Sequence, residues 1–285
     1  MFSIGEILQQ DQVRLAHASG LSALDARFEA QLLMAQALQV NRAWLIAHSD
    51  ESPPSAAYVQ YQDMLERRMQ GEPIAYIFGE KEFYGISLHV TPDVLIPRPE
   101  TELLVELALA HVPADRPCRV LDLGTGSGAI AISLASLRPQ AQIMAADMSL
   151  AALQVAEANA QRLGLFNLQF MHSDWWQHIP ATPLFDVIVS NPPYIAVGDA
   201  HLQQGDLRFE PITALVADDA GLSDLRRIVG KAPRYLEATG MLLLEHGYDQ
   251  GMAVRSLLSE AGFDAVVTRR DLAGVERVSM GRQRG

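Results

Sequence analysis

The chain has 285 residues, 49% of them hydrophobic, enough for a sizeable core in one large domain with a smaller companion. A formal net charge of −12, with Lys81 and Lys231 the only lysines, leaves no basic surface to hold a phosphate backbone, so stable nucleic-acid binding is disfavoured and a positively charged partner favoured. The lone Cys118 excludes an internal disulfide. With no basic leader and no apolar run of ~18 residues, the expectation is a cytoplasmic protein with no membrane association.

From residue 2 to about 70, apolar positions recur at helical spacing: Ile4, Ile7, Leu8, then Leu24, Phe28, Leu32 and Leu33. Breaks at Ser19-Gly20, at Asn41 and at Glu51-Ser-Pro-Pro54 divide this stretch into short helices that would pack as a small bundle. Residues 79–97 turn to β-branched and aromatic character around Gly85 and Thr91-Pro92, the pattern of a β-hairpin bridging two domains.

Beyond Pro99 strands alternate with helices. Helices are predicted over 100–111, 129–137, 150–163, about 223–237 and about 249–261. Strands are predicted over 119–122, 142–147, 168–173, 185–190 and 241–245, with a closing pair at 265–270 and 277–280. This is an α/β pattern, implying a mostly parallel sheet covered on both faces, with ligands beyond the carboxyl ends of its strands.

Four of those strand ends carry chemistry. The first runs into Asp122-Leu-Gly-Thr-Gly-Ser-Gly128, where glycines let a backbone approach a ligand closely and the following helix offers unpaired N–H groups to an anionic end. The spacing departs from the GxGxxG dinucleotide fingerprint, and no GxxxxGK[ST] loop is present, which weighs against NAD and ATP. The second strand ends at Asp147, placed for ribose hydroxyls, with Ser149 placed to cap the next helix. The third ends in Ser173-Asp-Trp-Trp176. Here Asp174 could meet an exocyclic amine and Trp175 could form an apolar platform, although only one of the two tryptophans can face the site. The fourth ends in Asn191-Pro-Pro-Tyr194. Prolines cannot continue a ladder, so an asparagine amide and freed carbonyls become acceptors for a planar NH₂ group, with Tyr194 as a wall. The eight histidines show no metal-ligand spacing, and no GxSxG elbow is present.

Together these four segments resemble the successive motifs of class I S-adenosylmethionine-dependent methyltransferases, the last one belonging to enzymes that methylate planar nitrogens. Nearly the whole chain is similar to the protein-(glutamine-N5) methyltransferases that modify peptide chain release factors, the PrmC/HemK family. The likeness extends through Arg68-x-x-Gly-Glu-Pro73, Leu95-Ile-Pro-Arg-Pro-Glu-Thr-Glu102, Phe209-Glu-Pro211 and Glu245-x-Gly247.

The resemblance implies a Rossmann-like seven-stranded sheet with its last strand antiparallel. It also implies a helical substrate-docking domain over 1–78, a hairpin linker over 79–97 and a catalytic domain over 98–285. The cofactor would be S-adenosyl-L-methionine, held by Gly124, Thr125, Gly126, Ser127, Gly128, Asp147, Trp175 and Asn191. The substrate would be the glutamine of the Gly-Gly-Gln loop of class I release factors, bound by Asn191, Pro192, Pro193 and Tyr194, with Asn191 and Pro192 catalytic. An adenine-N6 DNA or RNA methyltransferase is the alternative, because it shares the elbow on a flipped base.

Overall fold

A computed structural model describes residues 2–203 and 205–285. The chain divides into two units, one formed by residues 1–79 with 200–209 and the other by residues 80–199 with 210–285.

The first unit is helical: α1 (Ile4–Ser19), α2 (Ala23–Leu38), α3 (Arg42–Ala47), α4 (Ser55–Met69) and α5 (Ile74–Phe78). The boundaries follow the polar breaks in the sequence. Ser3 caps α1 in a capping box with Glu6, Gly20 closes that helix in the left-handed conformation, and Ser22 and Asn41 cap α2 and α3. Of the apolar positions singled out in the sequence, Ile4, Ile7 and Leu33 join one core with Leu15, Leu45, Tyr61 and Leu65, whereas Leu24 and Phe28 are exposed.

The second unit opens with the hairpin, β1 (Glu80–Phe83) and β2 (Ile86–His89). Its ladder stops well short of residue 97, because Pro92 and Pro97 cannot donate to one. The main sheet contains β3 (Cys118–Leu123), β4 (Ala141–Asp147), β5 (Leu168–His172), β6 (Phe185–Ser190), β9 (Leu236–Glu245), β10 (Asp264–Arg270) and β11 (Glu276–Arg282). A separate short pair joins β7 (Ile195–Ala196) to β8 (Val216–Ala217).

The seven strands lie in the order β10-β11-β9-β6-β3-β4-β5, and the last strand, β11, runs antiparallel to both neighbours. Successive residues of β3 serve opposite faces. Val120 joins a core with α6 (Glu102–Leu109) and α7 (Ala129–Leu137), while Leu121 and Leu123 join Trp176, α10 (Ser223–Lys231) and α11 (Gly251–Glu260). Another helix, α8 (Leu150–Arg162), packs beside β5, and a single turn, α9 (Asp218–Gly221), precedes α10.

Three predicted boundaries differ. The helix expected to reach residue 237 ends at Lys231, since Pro233 forces a 3₁₀ turn. The next strand then begins at Leu236 rather than Met241, because exposed Glu237, Ala238 and Thr239 cross an irregularity in the β6 pairing and carry no apolar signal. Similarly, the helix expected from residue 100 begins as a 3₁₀ turn, Pro99–Thr101.

Residues 200–209 belong with the helices. Buried Arg68 donates to Glu29 at 2.7 and 3.0 Å and to Asp206 at 2.9 Å, and Gly71 packs so tightly on Arg208 that a Cβ there would fall 1.6 Å from its guanidinium. Arg68→Ala leaves two carboxylates without their cation and is expected to destabilise the helical unit by about 3 kcal/mol. Urea unfolding followed by circular dichroism should show a lower midpoint, and an unchanged midpoint would contradict this account.

Candidate functional site

The carboxyl ends of β3, β4, β5 and β6 border one cleft. Of the residues singled out in the sequence, Gly124, Gly126, Asp147, Trp175, Asn191 and Pro193 line it. Thr125, Ser127, Gly128, Pro192 and Tyr194 do not, and each has another engagement or is buried behind the surface.

The glycine loop is built from both ends. Thr125 is buried and donates its hydroxyl to Asp122 Oδ2 at 2.7 Å. Asp122 is wholly enclosed, and burial pushes its carboxyl up to about 7, while its Oδ1 has no partner among the described residues. Gly128 caps α7 with φ of 85°, and a Cβ there would meet Ile132 at 2.7 Å, so the loop cannot accept a side chain without moving the helix. Fully buried Asn159 of α8 ties the loop to the hairpin. Its Nδ2 donates to the carbonyls of Ser127 and His89, and its Oδ1 accepts from His89 N.

Asp147 accepts from Gly126 N and Ser149 N at 2.9 Å each, one bond to each oxygen. Burial raises its pKa, and the backbone bonds act in the opposite direction. Each oxygen keeps a second lone pair. Ser149 caps α8 by accepting from Ala152 N.

At the third strand end the two tryptophans separate. Trp176 is buried, stacks on Tyr235 with centroids 4.5 Å apart and donates to the Arg227 carbonyl. Trp175 borders the cleft with a positive φ of 49°, its ring beside Gly124 and its indole N–H on Asp224 Oδ1 at 2.9 Å. A bulky residue in this conformation is held by its surroundings, here by the Asp224 bond and by the Ser173 hydroxyl on the Trp175 carbonyl. Asp174 also lines the cleft, but it is paired with Arg227 at 2.9 Å.

At the elbow, Asn191 Nδ2 donates to Thr101 Oγ1 at 3.2 Å, and no described donor reaches Asn191 Oδ1 or the Pro192 carbonyl. Tyr194 turns inward. Its hydroxyl donates to Glu245 at 3.4 Å, and its carbonyl accepts from Gln250 Nε2 at 3.0 Å.

Asp93, Val94 and Leu95, and Pro211, Thr213 and Ala214, carry no chemical signature in the sequence and also line the cleft. The two segments are joined by Glu210, which accepts from Ile96 N at 3.1 Å and is ion-paired with Arg98. Arg98 and Glu210 lie inside motifs that carried the resemblance, and their opposite charges were the available signal. Among the described residues no group of histidine, cysteine or acidic side chains is placed to hold a metal, and no helix is long and apolar enough to cross a membrane.

Comparison with known proteins bears on this arrangement. A family profile described as the PrmC N-terminal domain matches residues 6–79, and one described as a methyltransferase domain matches residues 114–271. The release factor glutamine methyltransferase of Bordetella pertussis is 52% identical over 255 residues, covering 90% of this chain and 94% of that protein. The chain belongs to the release factor glutamine methyltransferase family.

Release factor glutamine methyltransferases of Burkholderia pseudomallei and Escherichia coli are 51% and 46% identical, covering 95% and 90% of this chain and 95% and 92% of their own lengths. Among solved structures, the 16S rRNA N2 G1207 methyltransferase of T. thermophilus in complex with AdoMet and guanosine superposes with a TM-score of 0.54 at 25% identity. It covers 72% of this chain and 50% of that one. A methyltransferase from Pyrococcus furiosus gives a TM-score of 0.55 at 15% identity over 79% of this chain and 100% of that one, a likeness of fold.

In this family member the elbow is braced from behind by α9. Gly221 has φ of 81°, and a Cβ on it would fall 2.0 Å from the Tyr194 carbonyl oxygen. Gly221→Ala is expected to push the elbow out of place at a cost of about 1–3 kcal/mol. Thermal unfolding should register the loss as a lower melting temperature; wild-type stability would mean that the elbow is not braced here.

Proposed function

We propose that the protein transfers the methyl group of S-adenosyl-L-methionine to the side-chain amide nitrogen, N5, of the glutamine in the Gly-Gly-Gln loop of class I peptide chain release factors. The observation that carries the reading is Asn191, whose amide nitrogen is committed to Thr101 while its oxygen is left as an unmatched acceptor at the rim of the cleft. Support for glutamine over adenine comes from the name borne by relatives that cover 90% and 95% of the chain and from the acidic balance of charge. The helical unit would help to hold the release factor, as a protein acting in the cytoplasm without stable nucleic-acid binding or membrane attachment.

The chemistry of the cleft suits this cofactor. Spare lone pairs on Asp147 match a pair of ribose hydroxyls, Trp175 beside Gly124 gives an aromatic wall for adenine, and the turn Gly124–Gly128 keeps side chains out of the approach. Gly124 and Gly126 would contact the cofactor, while Thr125, Ser127 and Gly128 would shape the turn from within. When bound, S-adenosylmethionine supplies a methyl group on a sulfonium that leaves without acid catalysis.

What remains for the protein is the nucleophile. An amide nitrogen has its lone pair delocalised into the carbonyl, so it must be localised as it attacks. The Asn191 oxygen and the Pro192 carbonyl would accept the two N–H bonds of the substrate amide and hold its nitrogen in line. As the C–N bond forms, the nitrogen gains positive charge and those fixed dipoles hold it more strongly than in the ground state. The surplus proton then leaves to water. Pro193 at the cleft and Tyr194 behind it would wall the glutamine side chain.

Asn191→Ala is expected to lower kcat roughly 100-fold or more with little change in cofactor affinity. Asp147→Ala should instead weaken cofactor binding by about tenfold or more, read by calorimetry. Mass spectrometry of a release factor incubated with enzyme and cofactor should show a one-methyl increase on a single glutamine. An unmodified glutamine would overturn the function, and full activity of Asn191→Ala would overturn its role.

A further inference from the structure

We propose that Gln250 is a positioning residue for methyl transfer: its side-chain amide clamps the carbonyl of Tyr194 and thereby fixes where the Asn191 and Pro192 oxygens lie at the cleft. The assignment rests on those two oxygens being the acceptors for the substrate amide.

The middle of the elbow cannot hold itself. Pro192 and Pro193 have no N–H to donate, so the stretch from Asn191 to Tyr194 must be secured from its ends. At the near end Asn191 follows directly on β6 and its Nδ2 donates to Thr101 at 3.2 Å. At the far end the peptide joining Tyr194 to Ile195 is gripped from both sides. Its carbonyl accepts from Gln250 Nε2 at 3.0 Å, and its N–H donates to the Leu215 carbonyl at 2.9 Å. The ring of each proline sets its φ, so fixing that peptide leaves the Pro192 carbonyl little room to turn.

Gln250 has one orientation open to it. It is 8% exposed and stands just before α11, where its own N–H donates to the Gly247 carbonyl and its carbonyl accepts from Val254 N, each at 3.0 Å. In the side chain, Oε1 accepts from Gly247 N at 2.9 Å, and Nε2 donates to the carbonyls of Tyr194 and Ala220 at 3.0 and 3.1 Å. All three partners are backbone groups, whose polarity cannot reverse, so turning the amide over would set its oxygen against two carbonyls and its NH₂ group against an N–H. Glycines leave room for it: a Cβ on Gly221 would fall 2.7 Å from Nε2, and one on Gly247 would fall 3.1 Å from Oε1. The second carbonyl that Gln250 holds belongs to a strained turn. Asp219 and Ala220 are both left-handed, with φ of 55° and 53°, a costly conformation outside glycine that persists where the surroundings impose it. One amide therefore ties together that turn, the loop after β9 and the elbow. Gln250 does not border the cleft, so its effect reaches the reaction through the backbone it holds.

The test uses full-length protein, S-adenosylmethionine and a purified class I release factor. Gln250→Met keeps the length of the side chain and removes both N–H donors. It is expected to lower kcat by about tenfold to 100-fold, while KM for the release factor and the Kd for S-adenosylhomocysteine stay within about twofold. Gln250→Glu keeps an acceptor for Gly247 N and loses the NH₂ group, so it should lower kcat as well and leave KM in place. A readout independent of turnover is amide hydrogen exchange by NMR. In both variants the Ile195 N–H should exchange about tenfold or more faster, and the Gly126 N–H, held by Asp147, at the wild-type rate. Wild-type kcat in either variant, a loss confined to KM, or unchanged exchange at Ile195 would overturn the role. Exchange at Gly126 that rises in step with Ile195 would mean a general loosening of the fold and would overturn it equally. If wild type itself leaves the glutamine unmodified, the proposed function fails, and exchange at Ile195 still decides whether Gln250 clamps the elbow.

Discussion

A parallel ladder satisfies the backbone within a sheet and leaves the residues just beyond its carboxyl ends to find partners elsewhere. In this chain β3, β4, β5 and β6 run the same way and finish along one edge, so four such sets of unsatisfied groups collect there. Each end resolves the problem differently. Asp147 takes the N–H groups of Gly126 and Ser149, Trp175 is clamped in a left-handed backbone by Asp224, and prolines remove the donors after Asn191. The cleft is therefore a by-product of strand direction, refined by the few residues that leave each strand.

The polar groups just behind that edge are held away from water, and two of them are carboxyls. Asp122 and Glu245 are both fully enclosed and both raised to about 7 by burial. Among the described residues neither has a direct salt bridge; Asp122 is met by the Thr125 hydroxyl and Glu245 by that of Tyr194. Burying two carboxyls without a paired cation costs more than placing apolar groups of the same size there.

Much of this was readable from residue types. Alternation of apolar runs with amphipathic segments pointed to the α/β architecture, and strand ends at Asp147, Trp175 and Asn191 singled out residues that do line the cleft. Ser149 was recognisable as a cap because capping is a local matter of one hydroxyl and one nearby N–H. Less visible was whatever depends on contacts distant in sequence. The inward turn of Tyr194 depends on Glu245 and Gln250, both on the far side of α10, and the strand start at Leu236 is hidden by three exposed residues with no alternation. Direction of a side chain at a strand end is set by such partners, and periodicity says nothing about them.

Residues 200–209 leave the catalytic unit just after the elbow and rejoin it just before Glu210, and in between they belong to the helices. Backbone therefore passes between the two units at three points in the sequence, although a family boundary is drawn at only one of them, near residue 79. The consequence concerns inheritance. A helical unit exchanged from a relative by recombination at that boundary would arrive with a foreign Arg68 and Gly71 but would have to accept the resident Asp206 and Arg208. The two stretches can be exchanged freely only if they change together, so a unit that is compact in space is not continuous in sequence.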